Sequence, residues 1–237
     1  MRKMFKIKIY ADGADYKSII DLSKKKHISG FTTNPTLMRK SGVKDYKKFA
    51  LKILSKVKNK PISFEVFSDD LNDMKKEALE INSWANNVYV KIPSYNTKGK
   101  STNTLIKELS NLGIKLNVTA LFTYPQVKNT IKSLNKEVPS IISIFCGRIA
   151  DTGRDPIKLM NRIKKNSKNS KNIEILWAST RELYNIIQAD KSGFNIITVP
   201  NNILSKMHML NFNLDNLTLD TVKMFNSDAL KSKFKII

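Results

Sequence analysis

The amino-acid sequence predicts an α/β protein, a closed parallel (β/α)8 TIM barrel with one extra helix near its C-terminal end. Three observations carry that expectation. Eight short runs rich in β-branched and aromatic residues alternate with amphipathic helical patterns along 237 residues. Such alternation builds parallel sheets, because each return to the sheet needs a crossover, usually a helix. An open doubly wound sheet usually carries a glycine-rich phosphate loop after its first strand. This chain has Asp12-Gly13-Ala14-Asp15 there, and no G-x-G-x-x-G or Walker pattern anywhere.

The elements follow in order. Lysine and apolar residues alternate over 6–11, the first strand, and 16–26 is periodic at helical spacing. Residues 29–33 form the second strand and 45–58 the next helix. The third strand, 61–67, precedes a helix over 70–86, whose Asp70 and Asp73 sit at the positive end of its dipole. Val88-Tyr89-Val90-Lys91-Ile92-Pro93 reads as a buried fourth strand over 88–92, ended by proline. Helix 100–112 stops at Gly113, followed by strand 114–118, helix 123–135 and strand 140–145. Helix 156–166 opens on Pro156 after Asp155, a good N-cap. Residues 164–172, with four lysines, read as a solvated connection. Strand 173–177, helix 180–189 (closed by Gly193), strand 195–199 and helix 201–210 complete the eighth unit, and 219–233 is a further helix. No composition break marks a linker, so 1–237 is expected to be a single domain.

The formal charge of +22 is carried almost wholly by lysine, since arginine occurs six times. A basic chain raises nucleic acid or an anionic surface as partner. These lysines do not cluster, and no RNA-recognition, zinc-finger or basic-helix pattern accompanies them. Lysine and asparagine excess is also what AT-rich codon usage produces, so no nucleic-acid partner is expected. The field would still attract anionic small molecules such as sugar phosphates. Cys146 is the lone cysteine, which excludes an intramolecular disulfide and fits a reducing cytoplasm. Residues 1–9 lack an apolar signal-peptide core, and no apolar run approaches the length of a membrane span. His27 and His208 lie in helix-like contexts without clustered carboxylates or cysteines, so no metal site is expected.

In a parallel barrel, catalytic residues lie at the C-terminal ends of strands and in the loops just beyond. The polar residues there are Asp12, the run Thr32-Thr33-Asn34-Pro35-Thr36, Glu65, Lys91, Asn117 and Thr119, Ser143 with Arg148, and Ser179 with Arg181. Each has a plain explanation taken singly. Lys91 could snorkel to water, Asn34-Pro35 could open a turn, and the arginines could make surface ion pairs. Glu77, Glu80, Glu108, Glu137, Glu174 and Glu182 read as solvated face charges.

Together the strand-end residues make chemical sense. A lysine amine can attack a ketone, and the iminium formed is an electron sink for cleavage of the neighbouring C–C bond. Losing water from the carbinolamine needs a proton relay, for which Glu65 and a water placed by Thr119 are candidates. Asp12 is the candidate base for the hydroxyl proton. Asn34, Asn117 and Ser143 can hold substrate hydroxyls. Arg148 and Arg181 can grip a phosphate by charge-assisted hydrogen bonds.

The motifs resemble the transaldolases, specifically the short transaldolase/fructose-6-phosphate-aldolase-like group. Gly30-Phe31-Thr32-Thr33-Asn34-Pro35-Thr36, Tyr89-Val90-Lys91-Ile92-Pro93, Leu116-Asn117-Val118-Thr119-Ala120-Leu121-Phe122, Ser143-Ile144-Phe145-Cys146-Gly147-Arg148-Ile149 and Ala178-Ser179-Thr180-Arg181 resemble its signatures, in its order. The resemblance implies no metal or organic cofactor. It implies Lys91 as Schiff-base residue, Asp12 as acid/base, and Glu65 with Thr119 as the water-handling pair. It also implies Thr33, Asn34, Asn117 and Ser143 around the dihydroxyacetone portion, and Arg148, Ser179 and Arg181 around the phosphate.

Glu65 stands where the aldolase branch has glutamine, and Phe145 where that branch has a proton-handling tyrosine. Both imply transfer of dihydroxyacetone between sugar phosphates in the pentose phosphate pathway, rather than net cleavage. A fructose-6-phosphate aldolase, or a related enzyme of specialised sugar biosynthesis, stays open as an alternative. The latter is raised by Ile149-Ala150-Asp151-Thr152-Gly153-Arg154-Asp155. A basic nucleic-acid-binding barrel is the rival from another class. Short family members often assemble into rings, so by analogy residues 219–234 are a candidate contact with a second copy.

Overall fold

The computed structural model describes residues 5–166, 171–234 and 236. Its chain order is β1 Lys8–Asp12, α1 Tyr16–Ser23, β2 Ile28–Thr32, α2 Pro35–Lys40, α3 Tyr46–Leu54, β3 Ile62–Glu65, α4 Leu71–Ser83 and β4 Val88–Pro93. Then come α5 Asn103–Asn111, β5 Leu116–Leu121, α6 Tyr124–Ser133, β6 Ser140–Ile144, α7 Cys146–Ala150, α8 Pro156–Asn166, β7 Ile173–Trp177, α9 Tyr184–Ser192, β8 Ile196–Pro200 and α10 Asn201–Leu204. A 3-10 turn over Ser205–Met209 and α11, Leu214–Ser232, follow. The described residues form two compact units, divided between Leu204 and Ser205.

In the first unit the strands close in sequence order, every pair parallel, with β8 paired to β1. This is the expected (β/α)8 barrel. Strand alternation divides each strand between two surfaces. Ile62 and Phe64, Val88 and Val90, Leu116 and Val118, and Ile197 and Val199 are buried on the helix-facing side. Their helical counterparts include Ile53, Met74, Ala78, Ile106, Leu109 and Ile186, all buried. With both faces covered, the strands read as near-continuous apolar runs.

The inward set forms layers. Tyr10, Ile141, Leu176 and Ile196 pack in the lower barrel, with Tyr89 against them. Gly30 leaves room for the Tyr10 ring, since a Cβ there would stand 2.6 Å from it. Two residues further along, the inward positions of seven strands are polar, namely Asp12, Thr32, Glu65, Lys91, Thr119, Ser143 and Thr198, while the position just past β7 is Ala178. The polar layer therefore sits at the C-terminal ends of the strands.

Several expected boundaries shift. Strand β5 begins two residues later than expected and runs on to Leu121, past Ala120 at φ 58° and a break in the β5–β6 register between Val118 and Leu121. Helices α2 and α7 were not anticipated; at six and five residues they are too short to show a helical period. Helix α8 has the expected bounds and ends at Asn166, so Lys164 and Lys165 belong to it rather than to the lysine-rich connection, whose residues 167–170 lie outside the described residues. His27 lies in a turn after α1.

In the second unit, α11 starts five residues earlier than expected, with the Asn213 side chain accepting from Asn216 N. None of its residues is buried. Among the described residues no helix is long and apolar enough to cross a membrane.

Candidate active site

The polar layer surrounds a cavity of about 230 Å³. Of the residues singled out from the sequence, Asp12, Asn34, Lys91, Thr119, Ser143, Phe145, Arg148, Ser179 and Arg181 line it. Strand register explains the meeting: Glu65 pairs with Lys91, Lys91 with Asn117, and Pro93 with Thr119 on adjacent strands.

Lys91 is 7% exposed, a depth at which an unpaired ammonium is costly. Its Nζ lies 3.3 Å from Glu65 Oε2 and donates to Thr33 O at 3.1 Å. The pair is buried but not sealed, so the amine keeps access to the cavity it lines. Asp12 sits beside it, accepting a 2.7 Å hydrogen bond from Thr32 Oγ1, which also lies 2.5 Å from Thr198 Oγ1. Burial raises the Asp12 carboxyl above its ordinary value, and the neighbouring Glu65 adds to that. The Lys91 charge and the Thr32 hydroxyl oppose the rise. Two carboxylates flank one amine, and they compete for its charge.

Thr119 is 1% exposed, and among the described residues its Oγ1 meets no hydrogen-bond partner. Such a buried hydroxyl at a cavity wall is suited to hold a substrate oxygen or a water. Ser143 Oγ donates to Asn117 Oδ1 at 2.7 Å, and Asn117 Nδ2 donates to Ser63 Oγ at 2.9 Å. Asn117 lies behind the lining, fully buried, and acts on the cavity through Ser143. Thr33 also stands off the lining, its hydroxyl donating to Ser63 O at 2.8 Å. Asn34 caps α2 by accepting from Leu37 N, so its turn-opening role and its place in the lining coexist.

Glu65 borders a different cavity, on the β3 and β4 loops. Those loops are tied by Asp69, which accepts from the backbone and hydroxyl of Thr97. Glu77, expected to be a solvated face charge, instead accepts from Phe67 N, Ser68 N and Ser68 Oγ, so it holds the loop after β3.

On the far wall, Arg148 places its guanidinium 5.4 Å from the centre of the Phe145 ring, a cation–π contact. Arg181 reaches Asp151, at 2.5 Å from Nη2 to Oδ2. Ser179 between them adopts φ 64°, unusual for a residue with a Cβ. Gly147 permits this: a Cβ there would stand 1.6 Å from Ser179 O. Two cationic side chains thus flank a backbone segment held in a sparsely populated conformation at the cavity wall.

Ser63 and Thr198 were not singled out from the sequence. Both are polar residues at inward positions of otherwise apolar strands, a signal that strand parity alone could have supplied. Among the described residues no cluster of three His, Cys, Asp or Glu side chains is placed to hold a metal.

A closed parallel barrel with a buried amine, flanking carboxylates and a cationic rim at its strand ends has the layout of a barrel enzyme, whose reactive groups gather at that end. Comparison narrows the class. The family description "Transaldolase/Fructose-6-phosphate aldolase" matches residues 9–236, and the chain belongs to this family. A probable transaldolase of Nitrosopumilus maritimus is 35% identical over 203 residues, covering 85% of this chain and 87% of that one. A probable transaldolase of Thermoanaerobacter sp. is 33% identical over 231 residues, covering 97% and 100%. Among solved structures, a 2,3-dimethylmalate lyase superposes with a TM-score of 0.56 at 10% identity, covering 98% of this chain and 85% of that one. KGPDC from Streptococcus mutans gives 0.52 at 10%, covering 83% and 88%. At that identity the likeness extends to the barrel fold alone. The protein is thus an enzyme of the transaldolase/aldolase type.

Proposed function

We propose that the protein is a transaldolase that moves a dihydroxyacetone unit between sugar phosphates in the pentose phosphate pathway, through a Schiff base on Lys91. The observation that carries this reading is the buried Lys91 amine, 3.3 Å from the Glu65 carboxylate and sharing one cavity with Asp12.

In the proposed sequence the Lys91 amine attacks the C2 carbonyl of fructose 6-phosphate or sedoheptulose 7-phosphate. Proton transfers give a neutral carbinolamine. Glu65 protonates its hydroxyl, directly or through a water held by Thr119, and water leaves as the iminium forms. Asp12 takes the C4 hydroxyl proton and the C3–C4 bond breaks. Its electron pair flows into the iminium to give an enamine, and an aldose phosphate departs. The enamine then attacks the aldehyde of erythrose 4-phosphate or glyceraldehyde 3-phosphate, and Asp12 returns its proton to the new alkoxide. Hydrolysis releases the new ketose and restores the amine. Asn34 and Ser143 would orient the hydroxyls of the three-carbon unit, with Asn117 fixing Ser143. Arg148, Ser179 and Arg181 would bind the phosphate.

Phe145 supports transfer over net cleavage. A phenyl ring cannot protonate the enamine, so the three-carbon unit waits for an acceptor aldehyde. The lone cysteine supports a cytoplasmic setting.

Two assays test the proposal. Borohydride with fructose 6-phosphate should trap a covalent adduct that maps to Lys91. Fructose 6-phosphate should give products only when erythrose 4-phosphate is present. Release of glyceraldehyde 3-phosphate and free dihydroxyacetone without acceptor would make the protein an aldolase. Salt-dependent retention on DNA with no trapping would favour the nucleic-acid-binding reading.

A further inference from the structure

Strand β3 loses its neighbour before it ends. Thr33 N donates to Ser63 O, and pairing of β2 with β3 stops at Thr32 and Ser63. In a parallel ladder, alternate residues turn both backbone groups to the same side. Ser63 faces β2, so Glu65 does as well. The next rung would run from Glu65 N to Thr33 O and from residue 35 N to Glu65 O. Position 35 is proline and has no N–H. The Thr33 carbonyl accepts from Lys91 Nζ instead.

The hydroxyl of Tyr46, at the start of α3, closes the gap. It accepts from Glu65 N at 2.8 Å and donates to Glu65 O at 3.0 Å. Its ring is wedged among aromatic neighbours, with centroids 4.5 Å from Phe67, 5.6 Å from Trp84 and 6.1 Å from Phe64. Burial pushes the phenol above its ordinary value, so it stays a proton donor across the working pH range.

We propose that Tyr46 is a positioning residue for Glu65, its hydroxyl replacing a missing rung of the barrel. One side chain fixes both backbone groups of Glu65, and hence where its carboxylate meets the Lys91 amine. It also takes the Glu65 N–H that would otherwise bond Thr33 O, which leaves that carbonyl to Lys91. The two halves of the broken rung orient the two members of the proposed relay. The inference rests on the Glu65 role given under the proposed function.

Tyr46→Phe removes the hydroxyl and keeps the ring. In the full chain, the rate of borohydride-trappable adduct formation with fructose 6-phosphate should fall about tenfold, as small misplacements at reacting groups do. KM for fructose 6-phosphate should stay within about twofold. Added to Glu65→Gln, the same change should cause no further loss of rate, because the group it positions is already gone. Wild-type trapping by Tyr46→Phe, or an equal loss in both backgrounds, overturns the inference. Fast trapping by Glu65→Gln removes the functional reading of Glu65, and the inference with it; a slow Glu65→Gln beside a fast Tyr46→Phe removes the inference alone. Should Tyr46→Phe not fold, Phe67→Leu loosens the ring while keeping the hydroxyl. It should slow trapping by a smaller factor, again only when Glu65 is present, and unchanged trapping overturns the inference.

Discussion

The guanidinium of Arg181 grips both carboxylate oxygens of Asp151, with Nη2 2.5 Å from Oδ2 and Nε 3.3 Å from Oδ1. Both side chains are about half exposed, and pairs of that kind contribute ~1 kcal/mol or less. A substrate phosphate would have to compete with Asp151 for the arginine. Asp151→Asn removes the competitor and a like charge. The KM for fructose 6-phosphate should fall by up to about fivefold, with kcat little changed. Arg181→Ala should raise KM about tenfold. Initial-rate kinetics on both variants checks the pair.

Lys91→Ala should abolish borohydride trapping while the barrel stays folded. Truncation leaves the Glu65 carboxylate without its cation, an unfavourable exchange in a buried layer. Activity should fall by at least about 10³-fold, and mass mapping should find no adduct elsewhere. Circular dichroism separates this result from simple unfolding.

Asp12 couples activity and stability with opposite signs. Burial first, then Glu65, raise its carboxyl above the ordinary 3.8. The stability this group contributes is therefore full below about pH 3.8 and lost as the pH rises through its raised folded-state value. In the proposed mechanism C–C cleavage needs the ionised form, so its rate should rise through that same value. Asp12→Asn should raise the melting temperature near neutral pH, slow cleavage by about 10³-fold, and leave adduct formation in place. A pH series of thermal scans and single-turnover assays reads both sides.

Gly147→Ala places a methyl group where Ser179 O now stands, 1.6 Å from it. The backbone from 178 to 181 must give way, carrying Arg181 with it. We expect a loss of about 3 kcal/mol in stability and a KM for phosphorylated substrates about tenfold higher. KM for an unphosphorylated ketose donor such as fructose should change much less. Urea melts and paired substrate kinetics test this.

Phe145→Tyr adds a hydroxyl beside the Arg148 guanidinium, in the lining of the cavity. It should create net cleavage of fructose 6-phosphate without acceptor, because a phenol can protonate the enamine. A gain of about tenfold in dihydroxyacetone release over the parent is the expected scale. An unchanged ratio of release to transfer would remove Phe145 as the residue that favours transfer.

Much of this was legible in the sequence. Alternation of strand and helix was enough for the barrel, and polar residues at strand ends were enough for Asp12, Lys91 and Ser143. What escaped was local geometry that no period encodes. The left-handed backbone at Ala120 breaks the register of β5 with β6, and the one at Ser179 lies at the cationic rim. Glu77 looked like any helical surface charge, yet it organises the loop after β3. Tyr46 lies 19 positions from Glu65, and the link appears only once Pro35 is seen to leave a carbonyl without its donor. Asn117 and Thr33 were recognisable as polar strand-end residues. Their distance from the lining depends on Ser63, a partner that only the fold supplies.

The Tyr10 ring seated over Gly30 has a kinetic meaning as well as a packing one. It helps make the barrel a vessel filled from below and entered from above. A departing aldose and an incoming one must then use the same doorway, in turn. Two-substrate kinetics for the proposed exchange should accordingly be ping-pong, with parallel double-reciprocal lines and inhibition by excess acceptor that occupies the doorway early.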